Sequence, residues 1–255
     1  MAKQFIYPFT FGDKSKSDLL GGKGANLAEM VQMGLPVPPG FTITTDACRE
    51  FLTTGVVPTA LNEQIKTALA NLEKTVGKKF GDPTSPLLVS VRSGAKHSMP
   101  GMMETVLNVG ITPEVADAMA KTSGNEKFAQ DSYRRFIDMF GRIVCDLPDE
   151  VVHKVESIYL KKENVKVVAE LSAQSLKALA QDLIQAIQQF TKKPFPTNPF
   201  DHLTQSIEAV FKSWNSERAQ LYRRRERIAS DLGTAVNIQS MVFGNLSDDS
   251  GTGDA

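Results

Sequence analysis

The chain has 255 residues, 41% apolar and 23% charged, enough apolar matter for a real core and too much for wholesale disorder. Its 29 basic side chains balance 29 acidic ones, so the basic excess of a dedicated nucleic-acid binder is missing. No apolar run approaches the roughly 20 residues that span a bilayer. The start, Met1 to Tyr7, reads as strand rather than as a signal or transit segment. A cytoplasmic protein with no membrane and no nucleic-acid partner is therefore expected.

Residues 4 to 8 suit an edge strand. Residues 21 to 34 read as a glycine-rich loop running into a helix, with Leu27, Met30 and Val31 as its buried stripe and Gly34 as its stop. Leu35 to Gly40 is a rigid, proline-fixed connection. Phe41 to Thr44 alternates like a strand, and Thr45 or Asp46 is placed to cap the helix that carries Phe51 and Leu52. A further helix is predicted over 60 to 76, and a strand over 87 to 92 that delivers Arg92 at its end. From Pro113 to about Thr191 every strong pattern is helical, Pro113 suiting a first turn. Phe128, Tyr133, Phe136, Ile137 and Phe140 form one apolar face there. Helices over 148 to 161 and 172 to 190 follow, the latter with Leu176, Leu179, Leu183, Ile184 and Ile187 on one side. Lys192 to Pro199 is a proline-rich linker. Helices resume over 201 to 214 and 216 to 228, and Thr234 to Phe243 reads as a strand. The last twelve residues hold no core.

This order predicts a mixed α/β unit from 1–112 plus 199–233, a helical insertion at 113–198, and the start of a second, truncated subdomain at 234–255. The strand over 234 to 243 is expected to lack partners, to leave an apolar edge, and to bring local disorder or self-association.

Two segments carry chemistry. Gly21-Gly-Lys-Gly24 is not a P-loop, because Ser17 stands where the first glycine belongs and Gly24 follows the lysine. It also fails the dinucleotide fingerprint, with Leu27 at the third glycine position. What remains is a loop whose amides can approach an anion ahead of a helix, with Lys23 as a mobile charge, or a purely structural turn. The second segment runs from Leu87 to Thr105. Arg92 must find a partner or face a cleft; a salt bridge would explain it as well as a ligand would. Ser93, Gly94, Lys96, His97 and Ser98 cluster small residues and donors just after it, and Thr105 adds a hydroxyl. Met99, Met102 and Met103 are read as apolar gap-fillers. His97 lacks an evident carboxylate to orient it as a base, and His153 and His202 sit on helical faces. Cys48 and Cys145 read as thiols of a reducing compartment, and three scattered histidines make no metal spacing. Arg223-Arg-Arg-Glu-Arg227 resembles a nucleic-acid patch, but helical spacing makes it a solvated face or a docking surface. Trp214 reads as a helix-end anchor.

Leu20 to Met30, Pro39 to Ala47, Leu88 to Ala95, Met99 to Thr105, Asp131 to Phe136 and Gly233 to Gly244 together resemble the pyruvate, phosphate dikinase family, in that family's order. The resemblance implies an ATP-grasp-like fold and the interconversion of ATP, phosphate and pyruvate with AMP, pyrophosphate and phosphoenolpyruvate. It implies that Lys23 and Arg92 contact ATP phosphates and that Gly101 and Thr105 form a loop over the triphosphate. Gln239, with the backbone of Met241 and Val242, would border adenine. Mg²⁺ would accompany ATP, its ligands lying mostly outside this sequence. The phosphohistidine and pyruvate-binding domains of the full-length enzyme would be partners, and the family is homodimeric. No catalytic residue and no metal ligand is expected within these 255 residues, which are expected to be inactive alone. A non-catalytic interaction role for residues 113 to 191 or 223 to 227, and a related phosphotransferase with another acceptor, are the alternatives.

Overall fold

The computed structural model describes residues 3–246 and 250–251. The chain folds into two compact units, neither of them continuous in sequence. The first gathers Met1–Lys78, Val89–Thr105 and Thr204–Ser240; the second gathers Lys79–Leu88, Val106–Leu203 and Met241–Ala255. Both expected classes of element are present, so the fold is mixed α and β.

The first unit is built on a sheet whose strands run in the order β1 (Ile6–Pro8), β2 (Gly40–Ile43), β7 (Thr234–Ser240), β5 (Val89–Ala95). Every one of these pairings is antiparallel. The expected edge strand near the start is β1. Around the sheet stand α1 (Ser17–Gln32), α2 (Thr45–Thr54), α3 (Thr59–Val76), the later part of α8 (Pro199–Ser213) and α9 (Glu217–Glu226). In α3 the buried positions Leu61, Ile65, Leu69 and Leu72 repeat at three and four residues, the stripe that seats a helix on a core.

Several expectations about this unit need correction; the buried side of α1, for one, is Leu20, Gly21, Gly24, Ala25 and Ala28 rather than Leu27, Met30 and Val31. The strand that closes the sheet is not an orphan: β7 lies between β2 and β5, and all seven of its residues are buried. Its alternation was legible, but its partners are supplied by residues 40–43 and 89–95 rather than by later sequence. Residues 234–240 thus complete the first unit instead of opening another. The strand of Arg92 runs on to Ala95, so Arg92 sits mid-strand, because Gly94 and Ala95 still pair with Ala235 and Thr234. No loop spans residues 21–24. They lie within α1, whose helical path breaks at Gly21 alone (φ 67°, ψ 168°). Finally, Thr44 rather than Thr45 or Asp46 is the N-cap of α2, with no side-chain cap bond. Thr45 instead donates its hydroxyl to the Asp18 carbonyl at 2.6 Å, and Asp46 pairs with Arg49.

The second unit is mainly helical, as its sequence predicts: α4 (Pro113–Ser123), α5 (Glu126–Val144), α6 (Asp149–Glu163), α7 (Ala173–Thr191) and the first turn of α8. Pro113 occupies the first turn of α4 behind the capping hydroxyl of Thr112. The long α5 packs chiefly against α7 and α4, burying Phe136, Ile137 and Phe140 with Leu176, Leu179 and Leu183. It also buries an ion pair: Asp131 takes two hydrogen bonds from Arg134, at 2.8 and 3.0 Å, and one from Arg135. Two strands of two residues, β3 (Lys79–Phe80) and β4 (Pro86–Leu87), pair in parallel, and β6 (Thr105–Val109) begins at the boundary between the units' segments. Phe243 lies past the end of β7, its ring set edge-on to Phe128 at 5.2 Å. Residues 247–249 and 252–255, on which part of the expected terminal disorder falls, lie outside the described residues.

Candidate functional site

One face of the first unit's sheet is mainly apolar and the other is mainly polar. Residues opposed in an antiparallel register share a face. Register pairs Ser90 with Gln239, Arg92 with Asn237 and Gly94 with Ala235, while Thr42 also faces Asn237. The alternate positions, Val89, Val91, Val236, Ile238, Phe41 and Ile43, with Ser93, Thr234 and Ser240 among them, make the mainly apolar side. The polar side is therefore lined by Thr42, Ser90, Arg92, Asn237 and Gln239.

Helix α1 lies on that polar side, and its glycines set how close it comes. A Cβ on Gly21 would stand 1.6 Å from the Gly94 carbonyl oxygen. One on Gly24 would meet the Thr42 hydroxyl at 2.8 Å and the Asn237 amide oxygen at 2.9 Å. Glycine is required here so that helix and sheet can touch, and at Gly21 also for a positive φ. Close approach carries Lys23 to the same face: its Cβ is 3.4 Å from the place a Gly94 Cβ would take. Gly94 is two residues beyond Arg92 and faces the same way.

The Arg92 side chain is half-buried and has no hydrogen-bond or ion-pair partner among the described residues. Structural arginines in this chain do have partners, as at Arg134 with Asp131 and Arg142 with Asp138. Asn237 is fully buried opposite Arg92; its Oδ1 accepts the Thr42 hydroxyl at 2.9 Å, and its Nδ2 has no partner among the described residues. Gln239, 8% exposed, donates from Nε2 to the Pro38 carbonyl at 3.1 Å.

Beyond β5 the chain runs from Lys96 to Glu104 before β6 begins at Thr105. Lys96 pairs with Asp18 at 2.6 Å, and Met99 is buried. His97, Pro100 and Gly101 are exposed. Gly101 has φ 71° and open space around its Cα, and Thr105 is half-buried. Lys23, Arg92, Gly101, Thr105 and Gln239 thus all belong to the first unit. Met241 and Val242 belong to the second: the Met241 amide donates to the Leu88 carbonyl at 2.9 Å, and Val242 is exposed.

Other sequence candidates settle into structural roles. Cys48 and Cys145 are free thiols; burial pushes Cys48 up to about 12 and Cys145 up to about 11. His202 packs among the rings of Phe136, Phe140 and Phe195, with Nε2 2.6 Å from the Pro196 carbonyl. The basic run is not uniformly solvated: Arg223 is buried, lies 4.1 Å over the Trp214 ring and donates to the Trp214 carbonyl. Among the described residues no group of three or more His, Cys, Asp or Glu is placed to hold a metal ion, and no helix is long and apolar enough to cross a membrane. Sequence reading missed Asn237 and Thr42. The available signal was Asn237 and Gln239, two polar residues alternating with Val236 and Ile238 in the middle of the strand.

A mixed α/β domain whose glycine-bearing helix brings a lysine to the sheet face that also carries a strand arginine is of a class suited to polyphosphate ligands. The family profile described as "Pyruvate phosphate dikinase, AMP/ATP-binding domain" matches residues 17–57 and 53–253, and the chain belongs to that family. It is 47% identical to pyruvate, phosphate dikinase of Entamoeba histolytica over 253 residues, covering 98% of this chain and 29% of that protein. With the enzyme of Clostridium symbiosum it shares 46% over 255 residues, covering 99% and 29%. With that of Giardia intestinalis it shares 47% over 236 residues, covering 92% and 27%. The chain spans less than a third of the length of these relatives and matches their AMP/ATP-binding portion.

Proposed function

We propose that the polar sheet face of the first unit binds the phosphates of ATP through Arg92 and Lys23, as the nucleotide-binding part of a pyruvate, phosphate dikinase. The observation that carries this is Arg92: a half-buried guanidinium in mid-strand, on the face that α1 approaches with Lys23, and with no carboxylate to neutralise it among the described residues. A permanently charged group held there without a counter-ion favours an anion that fills its fork of donors.

In this reading the first unit is an ATP-grasp-like half-site. Gly101 and Thr105, in the 96–105 segment, are assigned to the triphosphate, and Gln239 of the same unit to adenine. Phosphoryl transfer is mostly positioning and charge neutralisation, so cations and backbone amides are the chemistry such a site needs. Mg²⁺ would come bound to the nucleotide, and its carboxylate ligands, like the phosphohistidine and pyruvate domains, are assigned to other parts of the relatives' length. Pyruvate and phosphate as co-substrates follow from the relatives' name and from the family resemblance.

Titration with Mg-ATP tests the assignment. Arg92→Ala should weaken binding about tenfold to a hundredfold, the loss expected for a charge-assisted hydrogen-bonded contact, with the fold retained by circular dichroism. Lys23→Ala should act in the same direction. Equal affinity in wild type and Arg92→Ala would remove the basis of the proposal.

A further inference from the structure

The loop between β5 and β6 is fastened to α9, and two arginines of that helix do the fastening. Its first residue, Lys96, is held by Asp18 at 2.6 Å. Three residues on, Met99 is 6% exposed in an apolar cluster with Ala95, Trp214 and Ala219, against which Met102 and Met103 also pack. A turn closes where the Met102 amide donates to the Met99 carbonyl at 3.1 Å. At the far end Glu104 forms an ion pair with Arg218. Between these points Pro100 and Gly101 are exposed.

Trp214 is the floor beneath Met99, and it is itself fixed. The indole Nε1 donates to the Ser230 carbonyl at 2.9 Å, and Arg223 both covers the ring and donates to the Trp214 carbonyl. Arg223 has no carboxylate partner among the described residues, so its role is to clamp the tryptophan. A cation over an indole face gains electrostatically as well as by packing.

We propose that α9 anchors the 96–104 loop, with Arg218, acting through Glu104, as the positioning residue that sets the loop for nucleotide phosphates and Arg223 holding the Trp214 floor. The nucleotide clause rests on the function proposed above; the anchoring does not. Arg218 is half exposed and Glu104 is 27% exposed, so the pair is partly screened and its effect is modest.

The experiment compares Arg218→Ala, Arg218→Lys and the charge swap Glu104→Arg with Arg218→Glu in the full chain. Without nucleotide, amide exchange of a peptide covering 96–104 should quicken about two- to fivefold in Arg218→Ala, return toward wild type in the swap, and lose the difference at high salt. Affinity for Mg-ATP should fall by a similar about two- to fivefold factor in Arg218→Ala and recover in the swap. Trp214, the chain's single tryptophan, reports the floor, and its emission should stay unchanged in these variants. Unchanged exchange in Arg218→Ala overturns the anchor, whatever ATP does. Quickened exchange with unchanged Mg-ATP affinity overturns the positioning role. Unchanged affinity in Arg92→Ala would instead indict the nucleotide assignment and leave the exchange result to judge the anchor.

Discussion

At the scale of single residues, two glycines with nearly the same φ differ in what surrounds them. Gly21 and Gly101 have φ of 67° and 71°. A Cβ on Gly21 would drive into the Gly94 carbonyl, whereas one on Gly101 meets nothing within 4 Å. Gly101→Ala should therefore cost only the left-handed backbone term, about 1 kcal/mol. Gly21→Ala carries a larger backbone term, because ψ 168° places it in a region essentially reserved for glycine, and it must also push α1 off the sheet; it should cost about 3 kcal/mol or more. Urea unfolding of the two variants checks the contrast, and equal losses would contradict it. His202 gives a second prediction. Burial among three phenylalanines lowers its pKa from the ordinary value near 6.5. The unfolded chain then takes up a proton before the native one does, so native stability falls as pH drops from about 6.5 toward the depressed native value and levels off below it. His202→Leu should flatten the decline in melting temperature over that window; an unaltered slope would place the dependence elsewhere.

At the scale of elements, what sequence revealed depended on how far away each partner lies. Helices α3, α4, α5 and α7 were legible because a helix announces its buried face within itself, as Leu61, Ile65, Leu69 and Leu72 do. Strand β7 was legible as a strand for the same reason, through Val236 and Ile238. Its place in the sheet was not, since the amide of Gly94 reaches a hydroxyl on Thr234, 140 residues away. The extension of β5 past Arg92 was hidden in the same way: Ser93 and Gly94 have turn chemistry alone and become strand only because Ala235 and Val236 stand opposite. Arg92 and Lys23 were named from motif, but their shared face follows from two facts no local pattern contains, the register of β5 with β7 and the approach of Gly21 to Gly94. A chain ending at residue 233 lacks the strand that joins β2 to β5. It should show no cooperative unfolding transition for the first unit, whereas a chain ending at residue 246 should retain one. A cooperative transition with intact β5 amide protection in the shorter chain would refute the central placement of β7.

At the scale of the whole molecule, the first unit is made of three separated stretches and the second is mainly one long helical stretch with short additions. The helical unit draws on near neighbours in sequence, α4 with α5 and α6 with α7. The sheet of the first unit depends on residues from both ends of the chain. Low sequence separation favours fast folding and high separation slows it. In a refolding jump, amides of α5 and α7 should gain protection before those of β5 and β7, as pulse-labelled exchange would read. Simultaneous protection would show that the two units fold as one.

The position of β7 has a consequence for synthesis. A nascent polypeptide emerging from the ribosome can close its helices turn by turn, yet the strand that will link residues 40–43 to residues 89–95 is made more than a hundred residues after both. Until then the edges of β2 and β5 wait without their shared neighbour, exposed to proteases and to other chains. Translation stalled near residue 220 should leave a product that a brief protease pulse trims between residues 1 and 105, and releasing the stall past residue 246 should end that sensitivity.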